Sequence, residues 1–179
     1  MSKKDLPSPE YLRQRLRYEP ETGRLIWLSH PDLPQKWNTR YAGTEAGNVG
    51  ARGYRDVRIY GRVLKAHRII WAILHNQWPS HEIDHIDGNR ANNKVNNLRH
   101  ATRTENNHNI GISRRNKSGV MGVFWEDKRR KWKAYIRVNN VQNNIGRYDT
   151  FDDAVAARKE AEIRYGFHAN HGRQRIAAR

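Results

Sequence analysis

The chain has 179 residues, room for one large domain or two small ones. Its 34 Lys and Arg outweigh 18 Asp and Glu to give a net charge of +16, spread along both halves, so a polyanion is the expected partner. Cysteine is absent, which excludes disulfides and thiolate metal sites, and the longest apolar run, Ile69 to Leu74, is too short to span a bilayer.

No leader pattern opens the chain, so the expectation is a soluble, cytoplasmic protein without membrane contact. Ser8-Pro9-Glu10 reads as an N-cap with proline in the first helical position. Leu12 and Leu16 then share one helical face, with Arg13, Arg15 and Arg17 turned mostly to solvent. Pro20-Glu21-Thr22-Gly23 ends that helix in a turn, and Arg24 to Leu28 reads as a strand. From Pro31 to Asn48 the chain is polar and turn-rich with no period, and Trp37 and Tyr41 are apolar bodies without an assigned place. Gly43, Gly47, Gly50 and Gly53 lack the spacing of a phosphate-cradling loop and are read as a hairpin lead-in.

Tyr54 to Tyr60 alternates, Val57 and Ile59 on one face and Asp56 and Arg58 on the other. A tight Tyr60-Gly61-Arg62 connection into Val63 to Ala66 makes this a β-hairpin. His67 to His75 is a short, mostly buried helix closing at Trp78-Pro79, with His67 just ahead of it as either a DNA-backbone contact or a structural group. His75, His81, His100 and His108 are read as surface or supporting groups.

The stretch Ile83-Asp84-His85-Ile86-Asp87-Gly88-Asn89 places a carboxylate and an imidazole at the end of a short apolar strand, followed by a turn. A second short strand runs through Val95 to Arg99. Thr102 with Glu105 forms a capping box that opens a helix carrying Asn106 on its first turn. Phosphodiester hydrolysis needs a water stripped of a proton, which a histidine near its free pKa can take at neutral pH. It also needs the phosphate charge neutralised, which a divalent ion on hard oxygen ligands can do. The Asp-His…Asn-Leu-Arg…Asn order resembles the ββα-metal core of the HNH endonucleases, in the subgroup with asparagine in the last position that is familiar among phage and homing enzymes.

That resemblance covers about residues 40 to 110. It implies His85 as general base, Asp84 and Asn106 as metal ligands, and Asn97 as the brace of the loop over His85, so that His85, Asp84, Asn97 and Asn106 form the catalytic set. Oxygen ligands, a single carboxylate and no cysteine favour magnesium, with manganese the alternative. Arg68 and Arg99, close to the motif, are candidate DNA contacts.

Residues 108–118 are polar, basic and aperiodic, and read as a linker. Val120 to Trp125 and Trp132 to Val138 follow as strands joined by a charged turn, with a third strand over Asn143 to Tyr148. Asp152 to Tyr165 is a helix whose Ala154, Val155, Ala157, Arg158, Ala161, Glu162 and Tyr165 share a small-residue face, stopped by Gly166. Gly122-Val123, Lys131-Trp132-Lys133-Ala134, Ile145-Gly146-Arg147-Tyr148 and the alanine-rich helix resemble the AP2 DNA-binding module over about residues 117 to 167. The chain departs from the plant AP2 pattern at Phe124, Glu126, Gln142 and Asn144, so base preference does not transfer. Alternation in the second strand turns Lys133, Tyr135 and Arg137 outward, where a sheet face can meet a major groove.

The expected architecture is α+β. A ββα-metal nuclease domain with an N-terminal extension occupies 1–110, a linker 111–118, an AP2-like sheet and helix 119–167, and a basic tail 168–179 that is expected to be disordered from Asn170 onward. The expected function is a monomeric, metal-dependent endonuclease that cuts or nicks double-stranded DNA at a preferred site. The rival from another class is a non-catalytic, sequence-specific DNA-binding regulator.

Overall fold

The computed structural model describes residues 6–113 and 115–173. The chain divides into two compact units at the Ala101/Thr102 bond. The class is mixed α and β, built from small antiparallel sheets and short helices.

In the first unit, helix α1 (Pro9–Arg15) is capped by the Ser8 hydroxyl, which accepts from the Tyr11 amide, with Pro9 in the first turn. It stops at Arg15, not beyond Leu16. Leu16 is extended and opens strand β1 (Leu16–Glu19), which pairs with β2 (Arg24–Trp27) so that Leu16 faces Trp27 and Glu19 faces Arg24. Sheet pairing here overrides the local helical pattern. Arg13 and Arg17 are exposed, as expected, and Arg15 is not. Arg13 donates to the Ile73 carbonyl and to Asn76 Oδ1, and Arg15 is buried, its guanidinium 5.0 Å from the Trp37 ring centre and 5.7 Å from Trp27. A weakly hydrated planar cation can be stacked between rings in this way.

The aperiodic stretch contains a helix, α2 (Gln35–Tyr41), that its sequence hid because its buried residue is polar. Asn38 accepts from the His30 amide and donates to the His30 carbonyl, while Trp37 packs edge-on to Trp27 at 5.3 Å. A two-residue strand β3 (Asn48–Val49), β4 (Arg55–Ile59) and β5 (Arg62–Lys65) make a three-stranded sheet in the order β3-β4-β5. Val57 and Ile59 are buried as their alternation requires.

Helix α3 (Ala66–His75) buries Ile69, Ile70 and Ala72, and Asn76 ends it in the left-handed conformation. His67 lies within its first turn and is buried, not ahead of it. The hairpin of β6 (Glu82–His85) and β7 (Leu98–Ala101) contributes Ile83 and Leu98 to the same core as Leu12, Leu25, Val57 and Ile70. Each such fully buried aliphatic side chain is worth roughly 1.5–3 kcal/mol. Val95–Asn97, read as part of the second strand, is a single 3₁₀ turn instead.

The second unit opens with α4 (Arg103–Asn107), whose capping box is present: the Glu105 carboxylate accepts from the Thr102 amide, and the Thr102 hydroxyl from the Glu105 amide. Strands β8 (Val123–Glu126), β9 (Lys131–Val138) and β10 (Val141–Tyr148) follow as an antiparallel sheet in the order β10-β9-β8. Asn139 and Asn140 both have positive φ, as the two-residue turn joining β9 and β10 requires. Helix α5 (Phe151–Arg164) is capped by Thr150 and covers the sheet through Val123, Ala134, Ala154, Trp132 and Phe151. Arg158 and Glu162 on its inner face are buried as an ion pair at 3.3 Å, whereas Tyr165, expected on that face, is exposed.

The described part of 108–118 contains no helix or strand. Its backbone is nevertheless held within this unit. The Ile110 carbonyl accepts from the Gly172 amide, and the Ile112 amide donates to the Arg173 carbonyl. Residues 170–173, expected to begin a loose tail, are therefore folded, and His171 is buried. The remaining tail lies outside the described residues. Among the described residues, no helix is long and apolar enough to cross a membrane.

Candidate active site

The loop between β6 and β7 is organised by asparagine amides. Asn97 Oδ1 accepts from the Asp87 amide at 2.9 Å, while its Nδ2 donates to Asp87 Oδ1 at 2.9 Å and to the Asn92 carbonyl at 2.8 Å. Asn92 Nδ2 donates to the other Asp87 oxygen at 2.7 Å. Buried polar groups keep their place only when bonded, so this network fixes the path of residues 87–97.

The loop then presents Asn93 to the histidine. Asn93 is 1% exposed, and its Oδ1 lies 3.1 Å from His85 Nε2. Its Nδ2 donates to the Ala91 carbonyl, which fixes the amide orientation and makes Oδ1 the acceptor. Nε2 of His85 therefore carries the proton, and in the neutral ring Nδ1 carries the lone pair. Burial holds the His85 pKa below its usual value; the Asn93 bond, Asp84 and Asp87 oppose this, and Arg90 adds to it. The ring is neutral at neutral pH.

The N-terminal hairpin supports this loop from outside. Tyr18 Oη donates to the Asn93 carbonyl at 3.2 Å and accepts from the Val95 amide at 2.9 Å. Gly23, at φ +74, passes so close that a Cβ there would lie 2.7 Å from the Lys94 nitrogen. Only glycine fits such an approach.

Asp84 lies one residue before His85 and is 8% exposed. It faces Arg99 across the hairpin, and the Arg99 Nη2 to Asp84 Oδ2 distance is 3.1 Å. Arg68 donates to the Pro79 and His81 carbonyls and so braces the approach to β6. The structure thus brings Asp84, His85, Asn97 and Arg99 together in one hairpin, with Arg68 on the preceding helix. Asn106 stands on α4, in the second unit. Lys133, Tyr135 and Arg137 lie on the face of β9 opposite the buried Ala134 and Ile136.

Asn93 and Tyr18 escaped sequence reasoning. Asn93 sits in a run where Asn89, Asn92, Asn93, Asn96 and Asn97 look alike, and nothing local distinguishes the one that turns inward.

Residues 64–108 match the HNH endonuclease family. Over 89 residues the chain is 32% identical to Protein 3.8 of Escherichia phage T7, covering 49% of this chain and 74% of that protein. The chain belongs to the family of that phage protein, and its HNH core makes it a DNA-cleaving hydrolase. No solved structure matches it.

HNH endonucleases generally use divalent metal ions, and the donor chemistry here suits one. A magnesium-like ion takes one or two carboxylates and leaves its other positions to water and substrate phosphate. The nearly buried Asp84 carboxylate beside a neutral histidine fits that pattern. Among the described residues, no group of three or more His, Cys, Asp or Glu is arranged to hold a metal ion.

Proposed function

We propose that this HNH endonuclease cuts or nicks double-stranded DNA at a preferred site, as phage and homing enzymes do, using one divalent ion, magnesium before manganese. The supporting observation is the 3.1 Å contact of His85 Nε2 with the Asn93 amide oxygen, which puts the proton of the neutral ring on Nε2 and the lone pair on Nδ1. His85 Nδ1 takes a proton from the attacking water as the new oxygen–phosphorus bond forms and the bond to the leaving oxygen breaks. Asn93 holds the ring in the required tautomer, and Asn97 holds the loop that carries Asn93. Asp84 and Asn106 are the proposed ligands. When bound, the ion supplies charge neutralisation at the scissile phosphate and the leaving oxygen.

The second unit is the proposed duplex reader, an AP2-like sheet whose Lys133, Tyr135 and Arg137 face the DNA, with Arg68 a further backbone contact. Arg99 serves by orienting Asp84. The test is incubation of the full chain with supercoiled plasmid, with and without magnesium, followed on a gel. Conversion to nicked or linear forms only with the ion is expected; unchanged plasmid under both conditions would reject the reading.

A further inference from the structure

The second unit contains a cleft of about 630 Å³, a size that accommodates a nucleotide. One wall is the outward face of β9, through Tyr135 and Arg137, and its rim includes the Asn139-Asn140 turn. Its floor is formed by Arg158 and His171, which are 2% and 4% exposed.

The geometry of that floor is specific. Arg158 Nε donates to the Met121 carbonyl at 3.0 Å. It reaches that carbonyl past Gly122, whose φ is +77 and whose added Cβ would lie 2.7 Å from Arg158 Nε. Nη2 of Arg158 lies 3.3 Å from both Glu162 Oε1 and His171 Nε2. A guanidinium can only donate, so His171 Nε2 is the acceptor and the neutral ring carries its proton on Nδ1.

Among the described residues, two buried donors of this floor then have no hydrogen-bond partner: Arg158 Nη1 and His171 Nδ1. The His108 carbonyl is near enough to favour a protonated His171 without meeting hydrogen-bond geometry. Unbonded buried donors cost free energy, and donors without acceptors on a cleft floor suit an oxyanion. The local charge agrees. Glu162 is shared between Arg158 and Lys159, and Arg137 adds a further cation on the wall.

We infer that this cleft seats a phosphate group of a nucleotide, with Arg158 Nη1 and His171 Nδ1 donating to its oxygens and Arg137 neutralising it from the wall. The inference rests on the reading that this unit meets nucleic acid, and it adds a discrete phosphate seat at the edge of the sheet face. Such a seat fixes the register of a strand without reading its bases.

The test is calorimetric titration of the full chain, in EDTA to silence cleavage, with thymidine 5′-monophosphate and with thymidine. One saturable site for the monophosphate and none for the nucleoside is expected. His171→Phe keeps the ring and removes the donor; Arg158→Gln removes the cation. Each should weaken monophosphate binding about tenfold or more. Because Arg158→Gln can disturb folding, Ile110→Trp, which fills the cleft from a half-exposed position on its wall, serves as a second block. It should abolish binding with the melting temperature unchanged. No saturable binding, equal binding of thymidine, or full binding by Ile110→Trp would overturn the inference. Duplex binding measured in EDTA on the same preparations keeps that failure distinct from a failure of the reading that this unit meets nucleic acid.

Discussion

The ring of His67 meets that of His85 edge-on, with centroids 4.9 Å apart and planes at 83°. Tyr54 packs against both, 5.3 Å from His67 and 5.9 Å from His85. His67 is buried, its Nδ1 has no hydrogen-bond partner, and its pKa is lowered to about 3, first by burial and then by His85, Arg68 and Lys65. Two neutral imidazoles are thus in contact, and His67 covers one side of the His85 ring.

This arrangement makes folding sensitive to acid. The unfolded chain binds a proton at His67 near pH 6.5, whereas the folded chain resists it down to about 3. Stability is therefore complete above the unfolded pKa and falls as pH drops below it, by up to about 1.4 kcal/mol per pH unit. Urea unfolding at pH 7 and pH 5 should show His67→Phe losing about 2 kcal/mol less than the parent over that interval. An identical acid loss in both proteins would place the sensitivity elsewhere.

His85→Ala should lower cleavage by several orders of magnitude while leaving DNA affinity nearly unchanged, because a general base acts only in the transition state. Cleavage within tenfold of the parent would remove His85 from that role. Asn93→Ala should cost about 10- to 100-fold in turnover, the usual effect of losing a group that orients a reacting residue. Tyr18→Phe, which loses the bond to the Asn93 carbonyl, should show a smaller loss in the same direction. Single-turnover rates on one nicked site would rank the three.

How much of this was legible follows from the kind of signal each residue carries. Helix α3, the β4–β5 hairpin and the β9 alternation were readable because apolar periodicity records which face is buried. The Thr102–Glu105 box was readable because capping is a local rule. Helix α2 was not, since its buried residue is an asparagine bonded to His30. The end of α1 was missed because pairing with β2 lies outside any local window. Arg15 was read as an ordinary charge, but only the folded chain brings Trp27 and Trp37 to its side. Arg158 was placed on the packed face of its helix, while its bond to the Met121 carbonyl lies outside any local window. Asp84, His85 and Asn97 were found as a motif. Asn93, which bonds His85, was hidden among similar asparagines.

The proposed ligands should separate by charge. Asp84→Ala is expected to lose activity and measurable divalent-ion affinity together, and it also leaves Arg99 without its carboxylate partner. Asn106→Ala removes a neutral carbonyl donor, so affinity should fall less and added ion should restore part of the activity. Calorimetry showing unchanged magnesium affinity in both variants would refute the ligand assignment.

The outward face of the second sheet makes its own prediction, because its cations differ in whether they are already neutralised. Arg147 is held on Glu126 at 2.6 Å, and Lys131 lies 2.8 Å from Asp149. Lys133 and Arg137 make no ion pair among the described residues; Lys133 lies over the Phe124 ring at 5.9 Å, and Arg137 is exposed. Counterion release counts only cations that neutralise phosphate, and each contributes about one unit to the slope of log affinity against log salt. Lys133→Ala and Arg137→Ala should therefore each flatten that slope by about one unit. Arg147→Ala should leave it nearly unchanged, since its charge is already matched by Glu126. The measurement is duplex binding by the full chain across a salt series in EDTA, with the three variants side by side. Parent-like slopes for both Lys133→Ala and Arg137→Ala would show that this face does not meet the DNA backbone.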